Sequence, residues 1–131
     1  MIANYDKILL DVSGTLYCNK KKPIDGARDF LKKYSEKIII FSNIGSKTGV
    51  ELKEELNAIF NIPIPQVVTS LDLLLKFIEQ KSYNTIFHYG NEKVIEKIKP
   101  FVKKIAKDDH EKDIDAIIFT SLISNRWIES T

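Results

Sequence analysis

The feature that most constrains the fold is an alternation of short apolar runs with longer stretches of helical periodicity. Five runs have the length and composition of buried strands: Lys7–Val12, Ile38–Ser42, Gln66–Thr69, Thr85–His88 and Ala116–Thr120. Parallel neighbours in a sheet need a crossover connection, which is usually a helix. The alternation therefore predicts an α/β fold with a mostly parallel sheet and flanking helices.

Between the predicted strands, apolar residues recur at the three- and four-residue spacing of one helix face. The four faces are Ala27/Phe30/Leu31/Tyr34, Leu52/Leu56/Ile59/Phe60, Leu71/Leu74/Leu75/Ile78 and Val94/Ile95/Ile98/Phe101/Val102/Ile105. We expect Asn91 to cap the fourth helix and Pro100 to kink or end it. The charged segment 103–112 is predicted to be an exposed connection. Residues 124–131 are predicted to start a further helix.

Composition argues against several classes of partner. The net charge is +2 and almost all basic residues are Lys, so we expect neither nucleic acid nor an anionic membrane as a partner. No apolar stretch approaches the length of a membrane span, and no secretory signal peptide is recognisable. Cys18 is the only cysteine, which excludes an internal disulfide and favours a reducing compartment. We therefore expect a cytoplasmic location.

A carboxylate follows the first predicted strand directly. Asp11 comes after Ile8–Leu10 and one further apolar residue, and Ser13-Gly14-Thr15 then breaks the strand. In open α/β sheets, ligands bind at the carboxyl ends of the strands. A surface Asp in an ordinary strand-to-loop turn is the alternative, and this fragment alone leaves both interpretations open.

A second polar pair closes the next predicted strand. Ser42 and Asn43 follow Ile38–Phe41, and taken alone they would simply end a strand. Their position on the strand next to that of Asp11 favours a shared binding site. The loop that follows, Gly45-Ser46-Lys47, leads into a helix whose N-terminus could receive an anion. Lys47 would add positive charge there or, alternatively, is an ordinary solvated loop lysine.

These segments together resemble the haloacid dehalogenase (HAD) superfamily. Asp11 to Leu16 resembles its first motif, and Ile38 to Asn43 its second. Pro23 to Leu31 and Ile62 to Ser70 are similar to segments of the para-nitrophenyl-phosphatase/NagD-like branch. Ser13 replaces the usual second Asp, as in a subgroup that includes the phospholysine/phosphohistidine inorganic pyrophosphate phosphatases. The resemblance covers residues 5 to about 90 well and the remainder loosely.

The resemblance implies a phosphatase that acts on a small phosphorylated substrate. Asp11 and Ser13 would be the catalytic positions, with Asp11 attacking phosphorus to form an aspartyl-phosphate. The Asp11 carboxylate and the Ser13 backbone carbonyl would bind Mg²⁺, which prefers hard oxygen ligands. The phosphate would be bound by four residues: Gly14, Thr15, Ser42 and Asn43.

Two departures from the family pattern lead us to doubt the activity. A serine at position 13 cannot readily act as an acid or base, which would lower the rate by about 10²–10⁴-fold unless another group substitutes. Activated phosphates with good leaving groups would suffer least. The third-motif Lys and fourth-motif acidic residues would lie beyond residue 131, and Lys93 and Asp108-Asp109 are the only substitutes in this sequence.

The family resemblance, together with the lack of the third and fourth motifs, predicts an incomplete HAD-like Rossmannoid core. We expect residues 1–82 to form its N-terminal half and residues 83–131 to begin an α/β cap or to complete a rearranged single domain. Besides an enzyme, the sequence is compatible with a phosphate-binding module that lacks turnover. It is also compatible with an assembly module that pairs with itself as a homo-oligomer or with a complementing chain.

Overall fold

The computed structural model describes residues 2–120, and their elements follow the predicted order. The strands are β1 (Ile8–Leu10), β2 (Tyr17–Cys18), β3 (Lys22–Pro23), β4 (Ile38–Ser42), β5 (Gln66–Thr69), β6 (Thr85–Tyr89), β7 (Lys104–Ile105) and β8 (Ala116–Phe119). The α-helices are α1 (Ala27–Lys33), α2 (Gly49–Phe60), α3 (Ser70–Lys81) and α4 (Glu92–Ile98). Short 3₁₀ turns span Ile2–Asn4, Asn19–Lys21 and Lys99–Phe101. The prediction of an α/β fold is confirmed.

The chain divides into two compact units, the first of which ends at Ser70. Its main sheet has the order β1-β4-β5, with both pairings parallel. Helices α1 and α2 contribute Ala27, Leu31, Leu52, Leu56 and Phe60 to a core that also contains Ile38 and Ile40 of β4. A small antiparallel hairpin of β2 and β3, which periodicity did not predict, follows the β1 loop.

The second unit begins at Leu71 and has its own sheet, with the order β7-β6-β8 and both pairings parallel. Its core joins helices α3 and α4 to the sheet through Leu71, Ile78, Ile86, Val94, Ile98 and Ile118. The parallel strands are thus divided between two sheets. The predicted division at residues 82/83 into a core half and a cap remains a prediction.

The fourth helix begins after Asn91 and ends before Pro100 as predicted, but Val102 and Ile105, which were predicted to continue its apolar face, lie outside it. The Asn91 side-chain oxygen accepts a hydrogen bond from the Lys93 amide at 3.0 Å, and the helix stops at Ile98 before the turn that contains Pro100. The prediction that residues 103–112 form only a connection is wrong at Lys104–Ile105. These two residues pair with Thr85 and Ile86 as an edge strand. A two-residue strand carries too little periodicity to be seen in the sequence.

No helix in the described part of the chain is long and apolar enough to cross a membrane. The Cys18 thiol is free and exposed. The predicted helix at residues 124–131 lies outside the described residues.

The carboxyl ends of β6 and β8 meet at a glycine. Gly90 has φ +146°, and a β-carbon there would lie 2.3 Å from Thr120 Oγ1 and 2.5 Å from the Thr120 carbonyl oxygen. The Thr120 hydroxyl also accepts a hydrogen bond from the Asn91 amide at 3.2 Å and lies 2.7 Å from His88 Nε2. His88 and Asn91 are thereby both linked to the residue that follows β8.

We expect Gly90→Ala to lower the free energy of unfolding by about 3 kcal/mol or more, because it combines a strained φ with overlap against backbone. Gly26→Ala is the matched control, since Gly26 has φ +83° but no atom within 4 Å of the added carbon. That control should lose only about 1 kcal/mol. Urea denaturation measures the free energy of unfolding of both variants. Equal losses of stability would show that the contact with Thr120 does not restrict position 90.

Burial lowers the pKa of His88 below its ordinary value of 6.5, because the charged imidazolium is desolvated. The unfolded chain therefore binds this proton at a higher pH than the folded chain. Stability should fall as the pH drops from about 6.5 through the folded pKa. His88→Gln should flatten this part of the curve between about pH 7.5 and 5.5.

Candidate functional site

The candidate site lies at the carboxyl edge of the β1-β4-β5 sheet. Leu10 pairs with Ile40 in parallel register, so Asp11 follows β1 at the level where β4 approaches its end at Ser42. Ser42 in turn pairs with Thr69 of β5. Because parallel strands present their carboxyl ends at one edge, the loops that carry Asp11 and Asn43 leave the sheet side by side.

Asp11 stands at the start of a tight turn that is anchored by buried apolar residues. Val12 and Leu16 are buried in the core, whereas Asp11, Ser13, Gly14 and Thr15 are exposed. This alternation holds the backbone against the sheet while it leaves the Asp11 carboxylate in solvent. An exposed carboxylate at a strand end can serve as a nucleophile or as a metal ligand.

Two backbone amides of the turn donate hydrogen bonds within the turn itself. The Gly14 amide donates to the Tyr17 carbonyl at 2.8 Å, and the Thr15 amide donates to the Val12 carbonyl at 3.1 Å. Gly14 has φ +77°, a left-handed conformation that favours glycine. The role of Gly14 and Thr15 in phosphate binding stays a prediction. The hydroxyls of Ser13 and Thr15 project from the same turn as further donors.

The second half of the site is the loop after β4. Ser42 Oγ accepts a hydrogen bond from the Ile44 amide at 3.2 Å, which leaves its hydroxyl hydrogen to donate elsewhere. Ser70 Oγ donates to the carbonyls of Asn43 and Ile44, at 3.0 and 2.9 Å. Sequence reasoning missed this role of Ser70, because the contact joins residues 26 and 27 positions apart.

The oxygens around Asp11 suit a small divalent cation. Among the backbone hydrogen bonds of the turns and loops in residues 2–120, none ends on the Ser13 carbonyl, and Asp11 is exposed. Mg²⁺ commonly keeps several waters and takes only one or two protein oxygens plus substrate phosphate. Within the same described range, no group of three His, Cys, Asp or Glu side chains forms a fuller metal cluster.

Lys47 is an ion-paired residue. Its ammonium group and that of Lys21 both contact the Glu55 carboxylate on α2. Burial alone would raise the pKa of Glu55, but hydrogen bonds from the two lysines outweigh it and hold that pKa below the ordinary 4.5. The hydrogen bond to Glu55 likewise raises the pKa of Lys21 above 10.5. Sequence reasoning did not identify Glu55 or Lys21, because nothing local to either marks this contact.

The remaining candidate residues lie in the second unit. Lys93 is on α4, and Asp108 and Asp109 lie in the exposed segment after β7. The Asp108 carboxylate accepts a hydrogen bond from the nearby His110 amide at 2.9 Å, and Asp109 pairs with the His110 ring at 3.4 Å. These contacts are local to the loop.

Solved structures share this fold. Over 93% of the chain, it is similar to glycerol phosphate phosphatase from Mycobacterium tuberculosis, solved with magnesium (TM-score 0.73, 18% identity, 38% of that chain covered). Over 91%, it is similar to a possible sugar phosphatase of the HAD superfamily from Cytophaga hutchinsonii (TM-score 0.69, 18% identity, 45% covered). A hypothetical protein from Pyrococcus horikoshii is similar over 76% (TM-score 0.57, 23% identity, 41% covered). The chain thus spans less than half the length of each of these proteins.

At these identities the structural similarities show the fold alone. No curated protein matches the sequence. The sequence model of the haloacid dehalogenase-like hydrolases matches residues 8–101, which is more than half of the chain and includes the Asp11 turn, the Ser42 loop and both helices of the first core. The chain belongs to the haloacid dehalogenase-like hydrolases.

Proposed function

We propose that the chain carries the phosphoryl-transfer site of an HAD-like phosphatase, with Asp11 as nucleophile. The observation that supports this most directly is the parallel register of β1 and β4, which brings the Asp11 turn and the Ser42 loop to one edge. Two of the similar structures are a glycerol phosphate phosphatase and a possible sugar phosphatase, which favours a small phosphorylated substrate. The motifs favour the para-nitrophenyl-phosphatase/NagD-like branch.

In the proposed reaction, a carboxylate oxygen of Asp11 attacks phosphorus. The bond from phosphorus to the leaving-group oxygen breaks, and that oxygen keeps the electron pair and takes a proton from water. A second water then hydrolyses the aspartyl-phosphate, releasing inorganic phosphate and restoring the carboxylate. The Ser42 hydroxyl and the Asn43 loop hold the phosphoryl oxygens throughout. Mg²⁺, held by Asp11 and the Ser13 carbonyl, would neutralise part of the phosphate charge.

Ser13 determines which leaving groups suit this site. Its hydroxyl can donate a hydrogen bond but cannot supply a proton near neutral pH as a carboxylic acid of suitable pKa does. Substrates whose leaving group is already a weak base need that proton least. The site therefore favours activated phosphates, such as aryl phosphates, phosphoramidates or pyrophosphate.

Phosphate binding without turnover is the second candidate function. It is supported by Ser13, which cannot readily act as an acid or base. An assembly role is supported by β1, which pairs only with β4 among the described strands and leaves Leu9 67% exposed. A second copy or a complementing chain could pair with this edge. A cytoplasmic location, and no nucleic-acid or membrane partner, remain part of the proposal.

We predict that Asp11→Asn abolishes Mg²⁺-dependent hydrolysis of para-nitrophenyl phosphate, because an amide cannot form the aspartyl-phosphate. Asp6→Asn is the matched control, since Asp6 is also exposed but precedes β1 at the opposite end of the strand. The control should keep the wild-type rate. Phosphate or vanadate binding with no hydrolysis in any variant would favour the binding module instead.

Ser13→Asp restores the carboxyl group that is usual at this position in the family. We expect it to raise kcat on an alkyl phosphate by about 10²-fold and to raise kcat on para-nitrophenyl phosphate much less, because only the alkoxide needs a proton. Steady-state kinetics on both substrates measure this difference. A similar gain on both substrates, or no gain on either, would contradict the role assigned to position 13.

A further inference from the structure

A second charged centre, which the proposed chemistry does not use, joins the two chain segments that leave the candidate site. Its members are Lys21, Lys47 and Glu55. The Asp11 turn leads directly into the β2–β3 hairpin, and Lys21 lies in the turn of that hairpin. The Ser42 loop leads directly to Lys47. Both segments therefore converge on one carboxylate of α2.

This contact determines where the hairpin lies. The hairpin leaves the sheet after β1, whereas α2 follows β4, the neighbouring strand. The ion pair between Lys21 and Glu55 therefore ties the turn of the hairpin to the helix that follows the Ser42 loop.

The hairpin turn has an unusual backbone. Lys20 and Lys21 are consecutive residues with φ of +59° and +57°, a left-handed conformation that non-glycine residues seldom adopt. Such strain persists where surrounding contacts hold it, and it clusters at functional sites. The ion pair with Glu55 is one such contact at Lys21.

The charges of the centre do not cancel. One carboxylate faces two ammonium groups, which leaves one formal positive charge. The Glu55 side chain is 20% exposed, whereas those of Lys47 and Lys21 are 35% and 53% exposed. The Glu55 carboxylate is thus largely shielded from water, whereas the two lysine side chains remain partly exposed. Their ammonium groups could therefore bind a further anion.

We infer that Glu55 is a positioning residue that gathers Lys21 and Lys47 beside the site, so that the site prefers phosphate esters whose leaving group carries its own negative charge. The substrate part of this inference rests on the proposed function. The position of the hairpin does not, and it is tested separately.

Limited trypsin digestion tests the hairpin, because Lys20 and Lys21 are both cleavage sites, whereas Lys22 is protected by the following Pro23. We expect Glu55→Gln and Lys21→Gln to speed cleavage at Lys20, the site that both variants keep, about fivefold, the effect of losing ion pairs worth about 1 kcal/mol. Lys21→Arg should restore the slow rate. Glu96→Gln, which removes the exposed ion pair to Lys99 on α4, is the control and should leave hairpin cleavage unchanged.

Cleavage elsewhere in the chain distinguishes local release from unfolding. Acceleration confined to the hairpin supports the inference. Equal hairpin cleavage in wild type, Glu55→Gln and Lys21→Gln overturns the positional part. If Glu55→Gln does not fold, Lys21→Gln alone decides, since it changes a half-exposed side chain.

Binding of two matched esters tests the substrate preference without requiring turnover. Phosphoglycolate and ethyl phosphate differ by a carboxylate on the leaving group. By calorimetry, we expect wild type to bind phosphoglycolate about tenfold more tightly, and Lys21→Gln, Lys47→Gln and Glu55→Gln to lose most of that preference. Equal affinities of the wild type for the two esters would overturn the proposed substrate preference. Tighter binding of both esters by Glu55→Gln would overturn it too. Binding of neither ester would overturn the proposed phosphate site as well, whereas the digestion would still decide the position of the hairpin.

Discussion

Because β1 and β4 pair in parallel from Ile8 opposite Ile38 to Leu10 opposite Ile40, the loops after both strands leave one edge of the sheet. Every residue of the candidate site depends on this pairing. An antiparallel arrangement or a slip of one residue would turn the apolar residues of β4 away from the core and would separate Asp11 from Ser42. The buried Ile38 and Ile40 make such a slip costly, since both are almost fully withdrawn from water.

Local contacts then shape the two loops. The turn after β1 is closed by its own amide-to-carbonyl hydrogen bonds and anchored by the buried Val12 and Leu16. The loop after β4 is held by Ser70, the first residue of α3, whose hydroxyl group donates hydrogen bonds to two carbonyls of the loop. Phosphoryl transfer depends on positioning and on charge compensation more than on covalent chemistry by many groups. The internal hydrogen bonds of the Asp11 turn and the contacts of Ser70 with the Ser42 loop are consistent with that requirement.

The elements with strong periodicity were predictable and the pairwise contacts were not. Four of the five predicted strands and all four helices were found close to their expected bounds, and the first strand shortened to Ile8–Leu10. Asn91 caps the start of α4, and Pro100 lies in the turn that follows its end, as the chemistry of these residues predicts. The edge strand Lys104–Ile105 and the hairpin of β2 and β3 were missed, because two-residue strands are created by their partners and carry no pattern of their own.

The sequence by itself determined the α/β class, the family, and the two strand ends where Asp11 and Ser42 stand, because periodicity and short motifs are local properties of the chain. Only the tertiary structure decided that the parallel strands form two sheets, that Ser70 holds the Asn43 loop, and that Glu55 joins Lys21 to Lys47. Ion pairs and side-chain hydrogen bonds between distant residues depend on where the folded backbone brings them. Many lysines in this sequence could have met a carboxylate, and the packing of the hairpin and the β4–α2 loop against α2 selected these two.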